Sequence, residues 1–514
     1  MRTKYSFYNF LVSLITGVIL PLIGFLKYSL FVGLYGSEVN GLTLTIANAI
    51  TFLNICELAY SLAFRQLLFK PLAENDRQKV LSIYHGARKI FRITGTVVII
   101  AGIITAFLFP YYADSPFTYW QTVGTFILLF LPYGLSYFLM GPNFVIIADQ
   151  KEYKINIWIQ TIAILRMFAI VGVILAKLPF VFVLLAEGVN VLGSNIVAKR
   201  IAMKAYPWLA DEKKVKEEDH SFLENAKYTI VQRLSTLATN NTDNLVISFF
   251  MGYGMVSVYG AYSYLNEAVS KIVQSAITSP INSFGNLFND RNADSYSVFT
   301  EFFNFGCYVA SIASICIFVV MNQFVFLYMN GRQEYNVSVL VALLFAINIF
   351  YLTMREPIII SRDANGLFVD AKNNAYLLAI SKVVLSIILI QPLGIAGVLL
   401  ATLITNWCVD FLYNPNLVYK KVFHLPVRKY FKMVFSRILV AFVIGGCSYY
   451  MWNQFLPYLT GGWAHFIVGC LILGVSVVAA VTLIYWVSYR SFRNLVYRFI
   501  GIFRRHRAAR ASTD

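Results

Sequence analysis

Charge is what this sequence has least of. Only 13% of its 514 residues are Asp, Glu, Lys or Arg, where a soluble domain carries about a quarter. Hydrophobic residues make up 58%, and the mean hydropathy is +0.66. No stretch is polar enough to build a sizeable soluble domain. Histidine is also scarce, with five residues scattered at 85, 220, 424, 465 and 506. The six cysteines, Cys56, Cys307, Cys316, Cys408, Cys447 and Cys470, lie inside apolar runs and form no CxxC pair. They read as small hydrophobes rather than disulfides or metal ligands. The sequence also lacks a P-loop, an HExxH and a GxSxG. These absences argue against an enzyme, a metal centre and an organic cofactor.

What is present is a series of long apolar runs. A spanning helix needs roughly 20 such residues. The runs predict about 14 spans, near 9–32, 41–63, 93–112, 119–141, 155–176, 180–200, 228–250, 257–280, 298–320, 338–360, 374–391, 395–414, 433–455 and 464–488. The expected fold is all-α and polytopic. The start "MRTKYSFYNF" has no small-residue cleavage site and leads into a run too long for a signal-peptide core, so it is read as a retained first span. One polar stretch, "AMKAYPWLADEKKVKEEDHSFLENAK", divides six spans from eight. The expected organisation is a lobe at 1–201, a cytoplasmic linker at 202–227, a second lobe at 228–419, two further spans within 420–489 and a basic tail at 490–514.

Lys and Arg set the orientation. With the N-terminus in the cytoplasm and the spans alternating, about 35 of the 42 fall in cytoplasmic segments. Both termini are therefore expected in the cytoplasm. Most of the net charge of +17 reads as topology and attraction to anionic lipid heads, not as a nucleic-acid footprint. The tail "YRSFRNLVYRFIGIFRRHRAARASTD" reads as a basic amphipathic segment lying on the membrane surface. The outer loops are very short, as in "YADSPFT", "KLP" and "QPLG". That leaves no room for the large outer loop of a membrane-embedded polymerase or glycosyltransferase.

The intramembrane charges are the candidate functional residues, because each is costly in lipid. Lys27 sits in "PLIGFLKYSLFVGLYG", with apolar residues on both sides. It reads as a cation on a water-filled wall, or as a snorkelling lysine. Span seven, "YTIVQRLSTLATNNTDNLVISFF", carries Arg233 near its cytoplasmic end and the polar run from Asn240 through Asp243 to Asn244. Asp243, with Asn240 and Asn244, offers oxygen ligands for Na⁺ or a site for H⁺. Its alternative role is an ion pair with Lys27 or Arg233. Glu267 and Lys271 stand one turn apart in the order that favours a helical ion pair, the alternative being a Lys271 available to substrate. Arg166 and Glu187 read as a pair within the first lobe. Glu57, Lys382 and Asp410 have no assigned partner.

Two stretches form a weak internal repeat, "SLFVGLYGSEVNGLTLTIANAITFL" and "NLVISFFMGYGMVSVYGAYSYLNEAV". Repeated halves with a substrate site between them are common in transporters. With "LFVGLYGSEVNGLTLTIANAITFLNICELAYSLAF", "IIADQKEYKINIWIQT" and "TDNLVISFFMGYGMVSVYGAYSYL", the chain resembles the polysaccharide transporter, or Wzx-type, flippases of the multidrug/oligosaccharidyl-lipid/polysaccharide exporter superfamily. The resemblance implies a MATE-like fold of two six-helix lobes around a central cavity, with two extra C-terminal helices. It implies flipping of an undecaprenyl-pyrophosphate-linked oligosaccharide across the bacterial cytoplasmic membrane, for O-antigen, capsule or exopolysaccharide synthesis. A polysaccharide polymerase and a chain-length regulator are the implied partners. Lys27, Arg233 and Lys271 would then meet the pyrophosphate. Lys27 follows "IGFL" much as an arginine does in the related lipid II flippases, and lysine keeps the charge without the bidentate fork. The rival within the superfamily is a cation-coupled multidrug exporter.

Overall fold

The computed structural model describes residues 20–211, 219, 222–278, 295–367, 370, 372–455 and 462–498, and the described residues contain helices and no strand. The expected first half of span one, the acidic–basic linker core and the last residues of the tail lie outside the described residues. The helices are α1 (Leu20–Tyr35), α2 (Ser37–Leu53), α3 (Ile55–Ala73), α4 (Arg77–Leu108), α5 (Tyr119–Ser136), α6 (Gly141–Ala148), α7 (Tyr153–Leu175), α8 (Val181–Ala205), α9 (Phe222–Met251) and α10 (Tyr253–Thr278). They continue as α11 (Ser295–Tyr328), α12 (Val339–Ala364), α13 (Lys372–Leu393), α14 (Ile395–Thr405), α15 (Phe411–Val418), α16 (Arg428–Phe455) and α17 (Trp463–Ser488).

Among the described residues nine helices are long and apolar enough to cross a membrane, and a tenth span results if α5 and α6 count together. The other expected spans also fall on helices, but the described part of α1 is short and α9 is diluted by its polar run. Three spans are less regular than the apolar runs implied. The 41–63 span is broken at buried Asn54 into α2 and α3. The 119–141 span ends at Ser136 and turns by 56° into α6, which starts on Gly141 and Pro142. In the 395–414 span, the turn Asn406–Asp410 widens to a π-helix between α14 and α15. Such insertions often mark functional or strained positions in helices.

By packing, the chain forms two compact units, Met1–Gly260 and Ala261–Asp514, so α9 and the first turns of α10 pack with the first. The first unit is centred on Leu42, Ile46, Phe64, Phe91, Phe126 and Ile146. The second is aromatic, with Phe299, Phe303, Tyr351, Tyr419, Tyr430 and Tyr485 buried together. Its last two spans, α16 and α17, pack on α11. A short helix at 490–498 folds back on the same element. There Phe492 and Leu495 are buried, and Arg498 meets the Glu301 carboxylate at 3.1 Å. The start of the basic tail is therefore docked, not only laid on a surface.

The internal repeat takes structural form at two glycines. Gly36 joins α1 to α2 with φ +91°, and Gly252 joins α9 to α10 with φ +82°. Each turn is a single residue in a conformation that side chains with a Cβ rarely adopt. The equivalent turn in the second stretch is thus Gly252, two residues before the glycine that closes "FFMGYG".

Candidate substrate and coupling site

Three helices of the first unit bring charge together inside the apolar layer. Lys27 lies on α1, Arg166 on α7 and Glu187 on α8. Glu187 uses both oxygens: Oε1 accepts from Lys27 Nζ at 3.1 Å, and Oε2 accepts from Arg166 Nη1 at 2.6 Å. All three side chains are mostly buried, between 21% and 25% exposed. The Arg166–Glu187 pair expected from the sequence is therefore present. Lys27, however, joins it from 160 residues away in the chain. One carboxylate between two cations leaves a net charge of +1. Arg166 Nε is buried without a hydrogen-bond partner, and so is Asn190 Oδ1, about one turn beyond Glu187. The cluster thus retains positive charge and one unspent donor, on Arg166. An anion such as a phosphate is the complementary ligand.

The same arrangement fixes which residue the cluster can least lose. Glu187→Ala would leave two cations facing each other within the apolar layer. Removing one partner of a buried pair costs about 3 kcal/mol or more. We expect Glu187→Ala to lower the melting temperature of the purified protein more than Lys27→Ala or Arg166→Ala, each of which leaves a neutral pair. Equal melting temperatures for all three would show that Glu187 does not hold the cluster.

A second polar group lies where α1, α2, α9 and α10 meet. The Tyr259 hydroxyl donates to Asp243 Oδ2 at 2.8 Å. Asn40 Nδ2 donates to Ser257 Oγ at 2.8 Å, and the Tyr28 hydroxyl donates to the Ser257 carbonyl at 2.6 Å. The helices touch closely here: a Cβ added to Gly41 would lie 1.7 Å from the Tyr253 carbonyl oxygen. Asp243 and Asn244 are half-buried and Asn240 is exposed. Asn244 Oδ1 is buried without a partner. Of the three expected ion-coupling residues, Asp243 meets a tyrosine, and Lys27, the alternative ion-pair partner expected for Asp243, pairs with Glu187.

The remaining expected site residues are dispersed. Arg233 is half-buried on α9, two to three turns before Asp243. Lys271 and Glu267 are exposed on α10. Sequence reasoning also missed a partner. Asp410, in the π-helical turn of the second unit, accepts from Arg355 Nη1 at 2.9 Å, from the Tyr351 hydroxyl at 2.7 Å and from Asn414 Nδ2 at 2.6 Å. Arg355 lies inside the expected 338–360 span, and α12 runs beyond that span to Ala364. The available signal was the Tyr351-to-Arg355 spacing, which puts both side chains on one helix face. Among the described residues no group of three or more His, Cys, Asp or Glu could hold a metal ion.

No protein-family model matches the chain, and no curated protein matches it in sequence. Solved structures do. The chain is similar to the lipid II flippase MurJ in an inward closed conformation, with TM-score 0.68 and 15% identity, over 96% of this chain and 100% of that one. It is also similar to an inward-facing multidrug resistance MATE family transporter of the MOP superfamily, with TM-score 0.54 and 13% identity, over 79% of this chain and 99% of that one. The all-α, MATE-like fold implied by the sequence resemblance is therefore observed. At these identities the likeness is one of fold.

Proposed function

We propose that this chain is a flippase for undecaprenyl-pyrophosphate-linked oligosaccharide, moving repeat units across the bacterial cytoplasmic membrane by alternating access. The observation that carries this reading is the net positive cluster of Lys27, Arg166 and Glu187. A pyrophosphate with a polyprenyl tail needs cations at membrane depth, and the cluster offers one unit of uncompensated charge with a free donor on Arg166. Arg233 on α9 and Lys271 on α10 are further cations proposed to meet the pyrophosphate. A drug exporter with cationic substrates needs the opposite excess, which makes it the weaker alternative. A polymerase or glycosyltransferase lacks its outer loop here. The termini face the cytoplasm, and the flipped units pass to a polymerase and a chain-length regulator on the outer side.

Coupling falls to Asp243, with Asn240 and Asn244 on the same helix and Na⁺ or H⁺ as the ion. An ion drives alternation only through its differential affinity for the two states. Asp243→Asn is expected to reduce transport and its dependence on the ion gradient while lipid-linked substrate still binds. If the double change Lys27→Ala with Asp243→Ala restores what either single change loses, and ion dependence is unaltered, Asp243 is a structural partner instead. The function itself is tested in a deletion strain. Loss of the chain should stop surface polysaccharide and leave the lipid-linked repeat unit on the inner leaflet. Normal export without the chain would end the proposal.

A further inference from the structure

A neutral polar cavity lies in the second unit, apart from every residue discussed above. It measures about 340 Å³ and opens between α11, α16 and the turn that leads from α11 into α12. Five carboxamides line it: Asn322 and Gln323 on α11, Gln333 and Asn336 in the turn, and Asn453 on α16. None of the described residues on its wall is charged. Arg332 and Glu334, in the same turn, meet each other at 3.6 Å instead. Helical spacing puts these groups on shared faces. Phe318, Asn322 and Phe326 recur every four residues along α11, and Tyr449 and Asn453 do so along α16. Asn322 and Gln323 interrupt the apolar run "IFVVMNQFVFLY", where polar groups are costly against lipid. The protein does not use Asn322 fully. Its Nδ2 donates to the Val337 carbonyl at 3.3 Å, but its Oδ1 is buried without a hydrogen-bond partner. Gln333, Asn336 and Asn453 are exposed. An aromatic side completes the cavity: Tyr449 stacks on Phe318 with ring centroids 4.9 Å apart, and Trp452 lies on the same wall.

We propose that this cavity binds a neutral sugar residue of the exported oligosaccharide on the outer side of the membrane. This rests on the substrate and orientation proposed above, which put the C-terminal ends of α11 and α16 outside. A sugar ring presents hydroxyls around its edge and C–H groups on its faces. A carboxamide carries two donors and an acceptor oxygen, so it matches a hydroxyl of either sense. The aromatic wall suits the C–H face, as amphipathic rings cover apolar surface beside polar groups. The volume falls within the range of small-molecule sites, about 300–1,000 Å³. An anionic head would find no cation on this wall. An acyl chain would cover five amides without giving them partners, which costs free energy. The cavity shares no residue with Lys27, Arg166 or Glu187, so sugar and pyrophosphate are recognised separately.

The test uses the full-length protein in neutral detergent and saturation-transfer NMR. The ligand is the repeat-unit oligosaccharide cut from the host's own surface polysaccharide, carrying neither lipid nor pyrophosphate, and inorganic pyrophosphate is titrated in parallel. Wild type should bind both. Asn322→Leu, and separately Gln323→Leu with Asn453→Leu, should weaken the oligosaccharide roughly tenfold and leave pyrophosphate unchanged. Lys27→Ala should do the reverse. Asn322→Leu should not lower the melting temperature, because it removes a buried acceptor that has no partner. Gln333→Ala with Asn336→Ala, in the exposed turn, should also weaken the oligosaccharide and keeps the test valid if the helix variants do not fold. No oligosaccharide binding by wild type, or undiminished binding in all three cavity variants, would overturn this proposal and leave the flippase reading to the deletion strain. Normal export in that strain, with oligosaccharide still bound here, would end the flippase reading and leave a sugar site.

Discussion

Lys27→Ala is expected to cut delivery of lipid-linked oligosaccharide to the outer leaflet roughly thirtyfold or more, with the protein still folded and inserted. A charge-assisted hydrogen bond to phosphate is worth about 2–3 kcal/mol, and every 1.4 kcal/mol is tenfold. Folding should survive because Glu187 keeps its 2.6 Å bond to Arg166. What disappears is the excess charge: the cluster goes from +1 to neutral. Lys27→Arg should retain transport. The informative variant is Lys27→Ala with Glu187→Gln, which leaves Arg166 alone as an uncompensated cation. If net charge at this depth attracts the pyrophosphate, that double variant recovers to within about tenfold of wild type. If Lys27→Ala alone transports normally at matched expression, Lys27 is only a partner for Glu187.

The second large effect is expected at the contact of α2 with α10. In the proposed orientation both glycine turns, Gly36 and Gly252, lie on the outer side. The Asn40–Ser257 hydrogen bond and the close approach of Gly41 to Tyr253 therefore close the outer ends of these helices. The proposed alternating access requires that contact to part. With the native cysteines replaced, Asn40→Cys with Ser257→Cys bridged through disulfides by a short bis-methanethiosulfonate should slow transport by more than tenfold, and a thiol reductant that cleaves those disulfides should restore it. Full transport in the bridged protein would show that the contact never opens. Neither cysteine alone should have this effect.

The cost of Lys27 was legible in the sequence, and its partner was not. A lone lysine among apolar residues announces itself, whereas the helix face that meets it lies 160 residues away. Periodicity gives the face of one helix but not which helices become neighbours. Arg166 and Glu187 were legible as a pair because they lie on consecutive spans joined by a short loop, which packs them side by side. The break at Asn54 was hidden because neither proline nor glycine marks it, and apolar runs continue on both sides. Asp410 found its cation in Arg355, 55 residues earlier on another helix, a pairing that periodicity along one helix does not reveal. Helix α12 carries its charged last turns beyond the apolar run, as an end near the membrane surface allows. The repeat was legible as a pattern, but its register became visible only through the two positive-φ glycines.

The central claim is that this chain moves a lipid pyrophosphate rather than a cationic drug. The direct measurement places the purified protein in sealed proteoliposomes with a fluorescent undecaprenyl-pyrophosphate oligosaccharide, imposes a Na⁺ or H⁺ gradient, and follows the label's accessibility to a membrane-impermeant quencher. The account predicts gradient-dependent movement between leaflets by wild type and by Lys27→Arg, and movement at least tenfold slower with Lys27→Ala. No movement of the lipid by wild type, together with gradient-dependent transport of a lipophilic cation, would contradict it.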